Sequence, residues 1–127
     1  MSVRHERGRA GEDYVCGYLT GLGWRISERN YRIRGGEIDI IAEKGCITAF
    51  VEVKTRKFGS LADGIEAVDA KKRACILKAA DRFIEEHPEA DRTIRFDAAE
   101  VIITTEEIPR VLEIKYYEDA FDAFTVC

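Results

Sequence analysis

Two short apolar stretches, residues 37–43 and 46–54, flank Lys44-Gly45, and they constrain the fold more than any other part of the chain. Runs of this length, rich in Ile and Val and broken by a Gly, read as two strands joined by a tight turn. In the second run Ile47, Ala49, Val51 and Val53 share one face, and Phe50, Glu52 and Lys54 share the other. In the first, Ile38, Ile40 and Ala42 share one face, and Glu37, Asp39 and Ile41 the other. With Lys44-Gly45 as the two turn residues, Glu43 pairs with Cys46, Asp39 with Phe50 and Glu37 with Glu52. Asp39 then lies diagonal to Glu52 on one face, about 7–8 Å away. Lys54 lies roughly 6.6 Å beyond Glu52 on that face. A one-residue slip would move Asp39 to the opposite face.

The remaining pattern supplies cover for this hairpin. Ala10, Tyr14, Val15, Tyr18, Leu19 and Leu22 recur at helical spacing, which predicts a helix over 10–22 that ends at Gly23. Residues 24–33 read as an edge strand, 57–64 as a loop, and 66–86 as a long helix stopped before Pro88. Strands follow at 95–104 and 111–117. Helix, three strands, helix and two strands make an α/β domain with a mixed central sheet. At 127 residues the chain suits one domain over 1–127.

Composition excludes several classes. With 46% hydrophobic and 35% charged residues, the chain matches a soluble globular protein. Its apolar runs are far shorter than the roughly 20 residues of a membrane span, and its charged N-terminus is unlike a signal peptide. None of Cys16, Cys46, Cys75 and Cys127 pairs at C-x-x-C spacing, and His5 and His87 are remote from them. A zinc site or disulfide scaffold is therefore not expected, and reduced thiols in a cytoplasmic location are. The net charge of -4 is unevenly spread. Residues 1–78 carry 15 Lys+Arg against 11 Asp+Glu, and residues 79–127 carry 5 against 13. The basic residues cluster at Arg4, Arg7 and Arg9, at Arg29, Arg32 and Arg34, at Lys54, Arg56 and Lys57, and at Lys71, Lys72 and Arg73. These charges either solvate a surface or form a positive face on an acidic protein.

The pair Asp39 and Glu52 is where chemistry is expected. Two carboxylates at this range can converge on one divalent cation, and without it they crowd like charge with Glu37. Hard oxygen ligands favour Mg²⁺ or Mn²⁺ over zinc. A cation held this way activates water and neutralises a phosphate, while Lys54 can orient or deprotonate the water or stabilise developing charge. Glu12 is either a first-turn glutamate favoured by the helix dipole or a carboxylate that looks into the sheet. Lys72 shares a helix sector with Val68, Ile76, Ala79 and Phe83, and either snorkels or contacts phosphate. Gly35-Gly36 permits a tight turn into the strand or close approach of a ligand.

Gly11-Glu12, Asn30-Tyr31-Arg32, Gly36-Glu37-Ile38-Asp39-Ile40-Ile41, Phe50-Val51-Glu52-Val53-Lys54-Thr55-Arg56, Lys71-Lys72 and Arg95-Phe96-Asp97 together resemble the small YraN-like bacterial proteins. That largely uncharacterised family is similar to Holliday-junction resolvases and to the restriction-endonuclease-like superfamily. The resemblance runs from about Gly8 to Phe121. It implies a restriction-endonuclease-like three-layer α/β/α core. It implies that Glu12, Asp39, Glu52 and Lys54 are catalytic, with Asp39, Glu52 and Glu12 on the metal. Thr55, Arg56 and Lys72 match positions that touch nucleic acid, and Arg34 in its basic cluster is expected to join them; Asp97 is expected to be structural. The implied activity is a Mg²⁺- or Mn²⁺-dependent endonuclease leaving 5′-phosphate and 3′-hydroxyl ends. Structured or branched DNA is the expected substrate and a homodimer the expected assembly. Two other readings stand beside it. One is a non-catalytic nucleic-acid-binding or scaffold module on a nuclease fold. The other is a dimeric core protein whose charged strand is only surface, and it requires the carboxylates of Asp39 and Glu52 to diverge.

Overall fold

The Ile- and Val-rich strands find apolar cover on both sides of one sheet. The computed structural model describes residues 3–59, 70–89 and 91–120, with side chains from residue 9 onward. Its elements are α1 (Val3–Gly21), β1 (Arg25–Ile33), β2 (Gly36–Lys44), β3 (Ile47–Lys57), α2 (Ala70–Glu86), β4 (Thr93–Ile103) and β5 (Val111–Tyr117). The strands lie in chain order across the sheet, so β1 and β5 form its edges. Neighbours are antiparallel except β3 and β4, which run parallel. A parallel pair needs a crossover, and α2 lies in that connection.

Each helix covers one face. Val15 and Leu19 of α1 pack with Trp24, Ile40, Ala42, Ala49, Val51, Ala99, Val101 and Ile103. Ile76, Ala79, Ala80 and Phe83 of α2 pack with Ile38, Ile41, Phe50 and Phe96 on the opposite face. This is the expected three-layer α/β/α core around a mixed sheet. Phe83 stands edge-on to both Tyr31 and Phe50, and Phe50 stacks on Phe96. Burying a side chain of this size contributes roughly 1.5–3 kcal/mol.

Two glycines set how closely the helices approach. A Cβ at Gly11 would collide with Oγ1 of Thr55 on β3. One at Gly36 would lie 2.6 Å from the Cys75 carbonyl oxygen of α2. Gly11 therefore opens the stripe on which α1 rests, Gly11, Val15 and Leu19, all buried. The broader face expected for this helix is narrower in fact: Tyr14, Tyr18 and Leu22 are exposed. The helix also begins at Val3 rather than at residue 10.

Other boundaries move less. β3 runs on to Lys57 because its pairing with β4 continues to Lys57 and Ile103. The expected start of the second helix at 66, the loop residues 60–64 and the side chain of Val68 lie outside the described residues, as does Cys127. Buried Asp97 accepts hydrogen bonds from Arg95 Nε and Nη2, both at 2.9 Å, from the Tyr116 hydroxyl at 2.6 Å, and from the Asp119 N–H at 2.9 Å. It ties β4 to β5 and to the turn that follows, the structural part expected of it. Among the described residues, no helix is long and apolar enough to cross a membrane.

Candidate functional site

The turn between β2 and β3 is formed by Gly45 and Cys46, not by Lys44 and Gly45. Lys44 pairs with Ile47, Ile41 with Phe50 and Ile40 with Val51. The expected pairs, Glu43 with Cys46, Asp39 with Phe50 and Glu37 with Glu52, are thus displaced by two residues. A shift of two preserves which side chains share a face. Continued by one step, the register sets Asp39 level with Glu52 instead of diagonal to it. Past Ile40 and Val51 a side chain takes over from the ladder: the Val53 N–H donates to Asp39 Oδ2 at 2.8 Å.

Strand alternation breaks beside Asp39. Ile38 joins Ile41 in the cluster under α2, whereas Ile40 and Ala42 face α1. The expected grouping of Ile38 with Ile40 and Ala42 is therefore corrected. Across the sheet on β1, Asn30 has a left-handed φ of 52°. Asn30 sits between the pairs Arg29–Ile40 and Tyr31–Ile38, level with Asp39. Asn tolerates this conformation better than most residues, yet in mid-strand it kinks the chain. Arg29 and Asn30 can then both reach α1. Arg29 Nη2 contacts Asp13 Oδ1 at 2.7 Å and Glu12 Oε1 at 3.8 Å, and Asn30 Nδ2 donates to Glu12 Oε1 at 3.0 Å.

The result is three largely covered carboxyl groups in one electrostatic field, with the Glu12 side chain 15% exposed and that of Glu52 8%. Burial raises the Glu52 pKa to about 7, with the charge of Asp39 adding to the rise and Lys72 opposing it. Burial also raises Asp39, against the lowering effect of the Val53 N–H and of contact with Glu52. Glu12 is raised by burial first and then by the charge of Asp39. Lys72 Nζ lies 3.3 Å from Glu52 Oε1. The other oxygen, Oε2, is buried with no hydrogen-bond partner. Asp39 and Glu52 touch, but two carboxylates share a hydrogen bond only when one of them is protonated. With both ionised, Oε2 has no donor. The two groups converge, so the reading that required them to diverge is overturned.

The donor set fits a divalent cation in part. Asp39 and Glu52 supply hard oxygens, one of them bare and buried. Among the described residues, no three His, Cys, Asp or Glu side chains gather into one metal-binding group. Glu12 instead is held by Asn30, and only its field reaches Asp39. A two-carboxylate set leaves the remaining positions to water and to substrate oxygens, as Mg²⁺ commonly accepts.

The other expected residues divide between the two faces. Lys54 lies on the Glu52 face of β3, half-buried and in register with Glu100 of β4. Arg56, two residues on, puts Nε 3.0 Å from Oε2 of Glu100, a carboxylate only 1% exposed. Its described contact is thus a buried ion pair. Thr55 is turned to the other face, where its Oγ1 fills the space left by Gly11. Lys72 meets a carboxylate. Arg34 is exposed in the β1–β2 turn. Sequence reasoning missed Glu100, which has no local signal because its partner lies 44 residues earlier. It also missed that Asn30 holds Glu12, although Asn inside a strand pattern was an available sign.

Residues 11–101 match the family model described as Uncharacterised protein family UPF0102. The chain belongs to this family. The matched segment begins at Gly11 and ends at Val101, and so spans both carboxylates, Glu12, Asn30, Lys72 and Glu100. A UPF0102 protein of Alkaliphilus metalliredigens is 43% identical over 114 residues, covering 90% of this chain and 96% of its own length. One of Dictyoglomus thermophilum is 38% identical over 116 residues, covering 91% and 97%. One of Myxococcus xanthus is 34% identical over 120 residues, covering 94% and 92%. The resemblance to YraN-like proteins that the motifs carry is therefore membership of UPF0102.

Proposed function

We propose that this UPF0102 protein is a metal-dependent endonuclease whose centre is Asp39 and Glu52, acting on structured or branched DNA. The observation that carries the reading is the buried Oε2 of Glu52, left without a donor beside a second carboxylate. Burying a charge without compensation is costly, and folds keep such a group where a ligand completes it. Mg²⁺ or Mn²⁺ bound there would polarise a phosphate oxygen and lower the pKa of a coordinated water. Asp39 is fixed for this role by the Val53 N–H, and Glu52 by its place in mid-sheet. Lys54, on the same face, would orient the water or stabilise charge on the phosphate. Glu12, held by Asn30 at the edge of the pair, would act as a third carboxylate near the metal. Exposed Arg34 would contact the DNA backbone, and a homodimer would offer two symmetric sites to a branched substrate.

A second reading has its own support. Among the described residues no three His, Cys, Asp or Glu side chains gather to hold a metal, which suits a module that binds nucleic acid without cutting it. Incubation with Mg²⁺ or Mn²⁺ and a panel of junction, flap, single-stranded and duplex substrates separates the two. Cleavage that is lost in Asp39→Asn and in Lys54→Ala is expected. Binding without cleavage of any substrate would favour the scaffold.

A further inference from the structure

We infer that Lys72 is the resident counter-ion of the Asp39–Glu52 pair and competes with a divalent cation for it. The inference rests on the metal-site reading above and deepens it. Lys72 reaches down from α2, one turn before Ile76 on the stripe that continues through Ala79 and Phe83. Its stem can follow that apolar surface while its ammonium reaches Glu52 Oε1 at 3.3 Å. The two partners differ in setting. The Glu52 side chain is 8% exposed and that of Lys72 is 42% exposed. The carboxylate is fixed in the sheet, and the ammonium approaches from the solvent side on a flexible four-carbon chain.

One ammonium does an incomplete job there. It brings a single positive charge to a site with two carboxylates, and it engages one oxygen of Glu52 while the other keeps no donor. A dication supplies twice the charge to both groups. It would also repel an ammonium held on the same carboxylate, since like charges a few ångströms apart repel strongly when partly buried. Lys72 therefore yields when the cation enters, and its exposure gives it somewhere to go. Displaced toward solvent, it can exchange a carboxylate partner for a phosphate oxygen of the polyanion. One residue then neutralises the empty centre and contacts phosphate at the filled one.

The test is calorimetric titration of Mn²⁺ at fixed pH into wild type, Lys72→Met and Lys72→Arg, with thermal unfolding alongside. Lys72→Met is expected to bind Mn²⁺ about tenfold more tightly than wild type or better. Its unfolding midpoint should rise further on adding Mn²⁺. Lys72→Arg, which keeps the charge, should stay within about threefold of wild type. If wild type binds Mn²⁺ and Lys72→Met binds it equally or more weakly, the inference is overturned while the metal site stands. If neither protein binds Mn²⁺, the metal-site reading falls and takes this inference with it.

Discussion

Replacing Glu52 with Gln should stabilise the metal-free protein near pH 8, although it removes a residue at the centre of the proposed site. In the fold, burial together with the charge of Asp39 raises this carboxyl from 4.5 to about 7. Well below the lower value it is protonated both folded and unfolded, and adds no pH dependence. As the pH rises from 4.5 to about 7, the unfolded chain gives up its proton and the folded chain retains it. Stability falls through that window, and above it the loss is complete. At 1.36 kcal/mol per pKa unit, the loss is on the order of 3 kcal/mol. An amide does not ionise and escapes it. Lys72 loses its partner in the variant, but at 42% side-chain exposure that pair contributes little. The assay is urea unfolding with EDTA at about pH 4, 6 and 8. With a urea dependence of roughly 1–3 kcal/mol per M, the variant's midpoint should lie about 1–2 M above wild type at the highest pH. The gap should close at the lowest. A variant less stable than wild type near pH 8, or a gap independent of pH, would refute the reasoning.

Other consequences follow from the same geometry. Arg56→Met leaves Glu100 buried without its nearest cation and should cost roughly 3–5 kcal/mol in urea unfolding; unchanged stability with weaker DNA binding would instead make Arg56 a nucleic-acid contact. Gly36→Ala forces a methyl against the α2 backbone at Cys75, and its thermal unfolding should show a loss of about 1–3 kcal/mol. Gly11→Ala should be destabilising for the same reason, and Thr55→Ala added to it should restore most of the loss by removing the colliding hydroxyl. Asn30→Ala must adopt a left-handed φ at a cost of roughly 1–2 kcal/mol, whereas Asn30→Gly should unfold close to wild type while releasing Glu12.

Much of this was legible because strand parity is robust. Ile40, Ala42, Ala49 and Val51 face one helix, and Ile41 and Phe50 the other, as their alternation predicts. The two-residue error in register left Asp39 and Glu52 on a common face for that reason alone. Moving the turn to Gly45-Cys46 brought them from a diagonal into contact. Alternation cannot show where it fails, and it fails beside Asp39, where Ile38 joins the other cluster opposite the left-handed Asn30. On α1 the helical wheel overstated the buried face. Tyr14 and Tyr18 sit on the expected side, but the helix meets the sheet along the narrow stripe that Gly11 opens. The pairing of Arg56 with Glu100 was beyond reach. It arises only when β3 and β4 lie parallel, and no local pattern records a contact between residues so far apart. The carboxyl pair was visible in the sequence, but its burial and its donorless oxygen belong to the folded sheet.

Side-chain carboxyl resonances give the most direct test of the central claim that Asp39 and Glu52 hold a divalent cation. In ¹³C NMR of the labelled protein, titration with Mg²⁺ should shift the Asp39 and Glu52 carboxyl signals together along one saturable curve. Carboxyls remote from the pair, such as Glu106 and Glu113, should not follow it. Shifts confined to those surface carboxyls, with Asp39 and Glu52 unmoved at saturating Mg²⁺, would contradict the account.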